Sequence, residues 1–138
     1  MTPAALLLAP FLAFQSPPAA DPITAADAVV WNPVLVNANG IPNPAPLAGS
    51  EVAVSLLSED LNTTGSPTAR IPGADPTGAA GTPLAPLLSG LPPGEYYLWI
   101  RVRYSTGPWS AYSAPYRVQL LPPPLTVGPA APTGLRKK

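Results

Sequence analysis

The sequence of 138 residues contains no cysteine and no histidine. The absence of cysteine excludes a disulfide framework and any thiolate metal site. The absence of histidine removes the commonest general base and the commonest metal ligand. We therefore do not expect an enzyme, and we expect neither a cofactor nor a bound metal ion.

Charge is also scarce, since charged residues make up 10% of the chain against about 25% in a typical soluble domain. The formal net charge is +0, and the one basic run is the terminal Arg136-Lys137-Lys138, so the basic patch of a nucleic-acid-binding protein is missing. So few charges indicate a surface that faces other protein. An extracellular domain rich in Ser, Thr and Pro is the alternative. We expect protein partners, with no nucleic acid and no small-molecule ligand.

Proline is abundant, with 23 residues, and its fixed φ and missing N–H disfavour long helices. Strand patterns occupy residues 27–36, 51–57, 96–104 and 111–121, and residues 69–71 and 84–88 are shorter candidates. We predict an all-β protein. Its predicted core comprises Tyr96, Leu98, Ile100 and Val102, facing Val52, Val54 and Leu56.

The two ends of the chain differ from its middle. We divide the chain into an apolar N-terminal arm or signal-like segment (1–22), a β-domain (23–121) and a Pro/Gly-rich tail (122–138). The apolar run 4–14 resembles a secretory signal, but no basic residue precedes it and no A-x-A site follows. It is too short to span a bilayer and contains Pro10. A docked arm, a cleaved signal and a membrane anchor remain as alternatives. The candidate docking side chains are Leu6, Leu7, Leu8, Phe11, Leu12 and Phe14.

The stretch "LLSGLPPGEYYLWIRVRYSTGPWSAYSAPY" resembles the last third of a fibronectin type III domain. Leu91, Pro93 and Gly94 fit the turn that crosses between the sheets in that family, and Tyr96 is the candidate for its tyrosine corner, with Tyr97 as a competitor. The resemblance implies a small fibronectin III/immunoglobulin-like antiparallel β-sandwich with extended Pro-rich terminal arms.

Within that stretch, "WSAYS" resembles the Trp-Ser-x-Trp-Ser box of class I cytokine receptors, in which tryptophan rings interleave with arginines from the preceding strand. The resemblance implies a ladder or binding face made of Trp99, Arg101, Arg103, Trp109 and Tyr112. As a ladder, these residues stiffen the outer sheet. As a binding face, the aromatic side chains together with Tyr97 meet a sugar or a peptide.

Taken together, these features predict a structural or assembly protein of a virion or an extracellular filament, for example a phage capsid decoration, head-accessory or tail protein that forms homo-oligomers. Short strands leave unpaired edges, which favour contacts with other chains. The alternative is a secreted adhesion module of the fibronectin type that binds carbohydrate or peptide. The expected location is a virion or an extracellular surface, with secretion if the N-terminal segment is a signal peptide.

Overall fold

The computed structural model describes residues 19–63, 65–123 and 128–138. Its strands confirm the all-β prediction, and one helical turn is present in the described residues. The elements are β1 (Asp21–Ile23), β2 (Ala28–Val29), β3 (Leu47–Ser55), β4 (Ala69–Pro72), β5 (Thr82–Pro83), α1 (Ala85–Leu88), β6 (Gly94–Tyr104) and β7 (Tyr116–Leu120). The predicted docking residues, from Leu6 to Phe14, lie outside the described part of the chain.

The strands form two sheets. A 5-stranded sheet has the order β1-β7-β6-β3-β4, and a 2-stranded sheet pairs β2 with β5. All neighbours are antiparallel except β1 and β7, which run parallel. Strand β6, with 11 residues, lies at the centre of the large sheet and pairs with β3 along one edge and with β7 along part of the other.

The core follows the two-residue alternation of β6 and β3. Tyr96, Leu98 and Val102 of β6 are buried on one face, and Val52 and Val54 of β3 are buried beside them. The opposite wall of this core includes the helical turn α1, which begins beside a proline and buries its last two leucines. The remaining buried members of the cluster are Ile23, Leu84, Leu87, Leu88, Val118 and Leu120.

Two of the predicted core residues are placed differently. Leu56 is 51% exposed, because β3 ends at Ser55 and the chain turns before Leu56 can continue the alternation. Ile100 is only half-buried although it has the predicted orientation, because a groove opens beside it. The predictions of a buried Leu56 and a buried Ile100 are therefore wrong.

Three of the predicted strands are also corrected. Of the segment 111–121, only Tyr116–Leu120 is in a strand. Only Ala28–Val29 of the segment 27–36 is in a strand, and beyond it a single bridge joins Val36 to Pro42. Residues 84–88 contain the turn α1 rather than a strand, whereas residues 69–71 do lie in β4. In each corrected segment a proline (Pro33, Pro86 or Pro115) interrupts the pattern, and proline cannot donate to a strand ladder. No helix in the described residues is long and apolar enough to cross a membrane.

The core assignment predicts the effect of truncating one leucine in each environment. Leu98 is 3% exposed, so Leu98→Ala should lower the free energy of unfolding by about 2–5 kcal/mol. The exposed Leu56 provides the matched control, and Leu56→Ala should change it by less than about 0.5 kcal/mol. Urea unfolding followed by circular dichroism measures both. Equal losses in the two variants would contradict the assignment.

Candidate functional site

The outer face of β6 is built against a complementary face of β3. Tyr97, Trp99, Arg101 and Arg103 stand on this face of β6, and the residues that pair with them across the ladder are Ser55, Ala53, Glu51 and Gly49. Three of these four β3 residues are small and leave room for the large side chains of β6, and the fourth, Glu51, lies opposite Arg101. Gly49 is a clear case, because a Cβ there would lie 3.2 Å from Nε of Arg103. The face has room for a layer of stacked side chains.

Two serines attach the following segment to the upper half of β6. Strand β7 pairs with β6 only from Gly94 to Leu98. The amides of Ile100 and Val102, which point away from β3, therefore lack a strand partner. Ser110 supplies one, since its amide donates to the Val102 carbonyl (2.8 Å) and its hydroxyl accepts from the Val102 amide (3.0 Å). Ser113 makes the same pair of bonds with Ile100, at 2.8 and 3.1 Å.

This attachment places Trp109 and Tyr112 over the arginines. The guanidinium of Arg103 lies 4.6 Å from the centroid of the Trp109 ring, and that of Arg101 lies 4.7 Å from the same centroid. Arg101 also lies over the Tyr112 ring, at 4.8 Å. Trp109 and Tyr112 thus alternate with two guanidinium groups. We call this set, with Trp99, the aromatic–arginine stack.

Trp99 forms the buried end of the stack. It is 4% exposed, packs edge-on against Tyr112 at a centroid distance of 6.2 Å, and meets Tyr97 in the same way at 5.9 Å. Its indole N–H donates to the Ser55 hydroxyl at 2.9 Å, and Leu61 packs into the same cluster. Trp99 is thus held mainly by contacts within the fold, with little of its surface exposed.

One of the two guanidinium groups in the stack, that of Arg101, is paired with a carboxylate. Glu51 accepts from both Nη2 and Nε of Arg101, at 2.7 and 2.9 Å, from the position directly across the ladder. The Tyr112 hydroxyl also donates to Glu51, at 3.2 Å. The pKa of the Tyr112 phenol is raised overall, chiefly because burial disfavours the charged form. Arg101 opposes this increase and Glu51 adds to it. Tyr112 therefore stays neutral and keeps its bond to Glu51.

Asn62 holds Tyr112 from the other side. Its amide nitrogen donates to the Tyr112 carbonyl at 3.0 Å, and its amide oxygen accepts from the Tyr112 N–H at 2.8 Å. The loop that carries Asn62 is itself ordered by Asp60, whose carboxylate accepts a hydrogen bond from the backbone N–H of Asn62 at 3.0 Å. The acidic pair at residues 59–60 thus lies in a loop that supports the stack.

The structure assigns different environments to the two tyrosines that compete for the corner. The Tyr96 hydroxyl donates to the Pro92 carbonyl at 2.6 Å while its ring is buried in the core. Tyr97 lies on the opposite face, beside Trp99. Tyr96 therefore has the upstream backbone bond that a tyrosine corner requires.

Sequence reasoning missed four residues that hold the stack: Glu51, Asn62, Ser110 and Ser113. The serines carry a readable signal, since they stand three apart in "WSAYS" beside a strand with free amides. Glu51 and Asn62 carry none, because their contacts depend on the register of β3 and on a loop that closes 50 residues away from Tyr112.

A polar cleft adjoins the stack. It has a volume of about 420 Å³ and is lined by Tyr97 and Tyr112 together with Glu59, Asp60 and Asn62. Across the described residues, no cluster of three or more His, Cys, Asp or Glu side chains could hold a metal ion. No protein-family model, curated protein or solved structure matches the chain.

The stack predicts a measurable coupling between Trp109 and Arg103, which makes no ion pair in the described residues. A double-mutant cycle of Arg103→Ala and Trp109→Ala should give a coupling free energy of about 0.5–1 kcal/mol, because both side chains are partly open to solvent. Urea unfolding of the four proteins measures it. The matched control pairs Arg103→Ala with Tyr97→Ala, six residues along the strand, and should give a value near zero. Equal coupling in both cycles would contradict a direct contact.

Proposed function

We propose that the protein is a non-enzymatic structural subunit of a virion or an extracellular filament, acting through protein–protein contacts and built on a fibronectin III/immunoglobulin-like sandwich. The sandwich is supported by the two sheets, whose strands β2 and β6 contribute Val29 and Leu98 to one core. The Tyr96 bond to Pro92 supports the family resemblance. The assembly role is supported by a surface loop.

The observation that carries the assembly role is an ordered loop with an apolar exterior. In residues 34–43, which we call the apolar loop, Leu35 is 70% exposed, Ile41 58% and Val36 45%. Single exposed apolar residues are ordinary, but a group of them on one loop marks a surface for another protein.

Polar side chains fix the shape of the apolar loop. The Asn37 carboxamide oxygen accepts from the amides of Asn39 and Ile41, at 2.9 and 3.1 Å, and Gly40 adopts a φ of +78° at the turn. Asn43 donates to the Val34 carbonyl at 2.8 Å and accepts from the Tyr104 hydroxyl at 2.8 Å. The loop is thereby attached to the end of β6.

The apolar loop and the aromatic–arginine stack form neighbouring parts of one surface. A cleft of about 300 Å³ lies between them and is lined by Val34, Val36 and Trp109. A loop held in one shape loses little conformational entropy when it binds. The stack, by stiffening β6 and the segment after it, keeps the other wall of the cleft in place. This combination favours a permanent contact with a neighbouring subunit.

The assembly role is tested by removing the exposed apolar groups. We expect the wild type to associate with increasing concentration, and the double variant Leu35→Ser, Ile41→Ser to weaken that association by about tenfold or more per side chain. Multi-angle light scattering after size exclusion measures the mass. Leu56→Ser, which removes an apolar group of similar exposure elsewhere, should associate as the wild type does. A wild type that stays monomeric throughout would contradict self-assembly.

A second candidate function is saccharide binding by a secreted adhesion module, favoured by the polar cleft beside Tyr97. Trp109 does not serve it, since its ring is taken up by two guanidinium groups. The cleft instead offers Tyr97 with the carboxylates of Glu59 and Asp60. Isothermal titration with a panel of oligosaccharides tests this function. Binding that is lost in Tyr97→Ala and kept in Trp109→Ala would favour it, and no binding by the wild type would remove it.

A further inference from the structure

A second feature, formed by the residues just before the apolar loop, is a groove beside β6. It has a volume of about 620 Å³. Val29, Val30 and Trp31 line one side, and Leu98 and Ile100 lie at its floor. Val30 is 64% exposed and Ile100 is only half-buried, so the groove leaves apolar surface uncovered at the entrance to the core.

The chain along this groove also lacks hydrogen-bond partners. No hydrogen bond joins the backbone of residues 30–33 to the rest of the described chain. The indole N–H of Trp31 is buried and has no partner among the described residues. Buried polar groups are normally paired, and an open strand edge accepts another strand. Apolar surface beside unpaired backbone has the two properties that an extended apolar segment recognises.

The described chain begins next to this groove. Strand β1 is parallel to β7 with Asp21 opposite Val118, so Ala19 lies level with Tyr116, which lines the groove. The Tyr116 hydroxyl donates to the Asp21 carboxylate at 2.5 Å and fixes this end of β1. A turn closed by the Asp27 amide and the Thr24 carbonyl then reverses the chain into β2. Residues before β1 therefore approach the segment that follows β2.

We propose that the apolar run at residues 4–14 fills this groove of its own chain as an extended segment along residues 30–33. The run carries no charge, which suits the apolar lining. Five Cα-to-Cα steps lead from Phe14 to Ala19, and an extended chain of that length reaches about 17 Å. Covalent attachment gives the run a high effective concentration at the groove, which favours the chain's own segment over that of a second copy.

This occupant accounts for both unexplained features. Leucine and phenylalanine side chains on one face of an extended segment cover Val30 and Ile100. The carbonyl groups of the segment are acceptors for the free amides of Val30, Trp31 and Asn32. Pro10 lacks an N–H and suits an edge position, where one side of the strand faces solvent. The apolar loop at 34–43 stays free, so the proposal is independent of the assembly role.

The test uses the absence of cysteine from the 138 residues, which makes engineered thiols the only ones present. Asn32, which lines the groove, is replaced by Cys together with Leu8→Cys or with Phe11→Cys. A disulfide forms only if the Cα atoms come within about 7 Å. We expect a cross-linked monomer in at least one pair under mild oxidation. In the control, Thr106→Cys, in the turn after β6, takes the place of Asn32→Cys in each pair. The control pairs should not cross-link.

Each outcome decides the proposal. No cross-link in either pair, or equal cross-linking in the Thr106 control, overturns it. Covalent dimers in place of monomers also overturn it, because they show exchange of the segment between copies. A native protein whose intact mass lacks residues 1–18 overturns it too, because the segment is then removed as a signal.

Point variants supply a second readout that does not depend on cysteine. Leu8→Ser with Phe11→Ser should lower the Tm by at least about 5 °C, the shift expected from losing roughly one buried side chain in a domain of this size. Leu135→Ser, in the exposed tail, should leave the Tm unchanged. An unchanged Tm in the first variant contradicts the proposal. A lowered Tm with wild-type association shows that the groove and the assembly surface are separate.

Discussion

The upper half of β6 has an edge that no strand covers, and most of the outer surface depends on how that edge is satisfied. Strand β7 stops pairing at Leu98, which leaves the amides of Ile100 and Val102 facing away from β3. The hydroxyl and amide groups of Ser110 and Ser113 satisfy them. Unpaired backbone groups at this depth destabilise a fold, so the "WSAYS" segment has a structural task before any functional one.

Satisfying that edge fixes the order of the stack. Once the two serines are bound, Trp109 precedes the first by one residue and Tyr112 precedes the second by one residue, so both rings meet the arginines of β6. Arginine suits these positions because its guanidinium is flat and weakly hydrated and can stack on a ring while it still bonds a carboxylate. Arg101 does both, with Glu51 at 2.7 Å. The cations that the sequence places beside its aromatic residues are therefore part of the packing.

The alternation of β6 was sufficient to predict which of its side chains face the core, and the Trp-Ser pattern was sufficient to predict that Trp109 belongs with arginines. Leu56 shows a first limit: the alternation continues past Ser55 in the sequence, but the strand ends there because the chain turns. Glu51 shows a second limit, because its partner depends on the register between two strands, and that register cannot be derived from a single sequence. The short strands β4 and β5 lie among Gly, Pro and Ala and carry too few apolar residues to show a period.

The parallel pairing of β1 with β7 determines how the domain responds to tension. The chain enters the large sheet through β1 and leaves it through β7, and because these neighbours run in the same direction the two ends emerge at opposite ends of the ladder. A force that draws the ends apart is directed along the strands, so it loads the ladder bonds together in shear. An antiparallel pair at this place would open one bond at a time, from one end. A subunit pulled through both of its ends would therefore yield abruptly rather than peel.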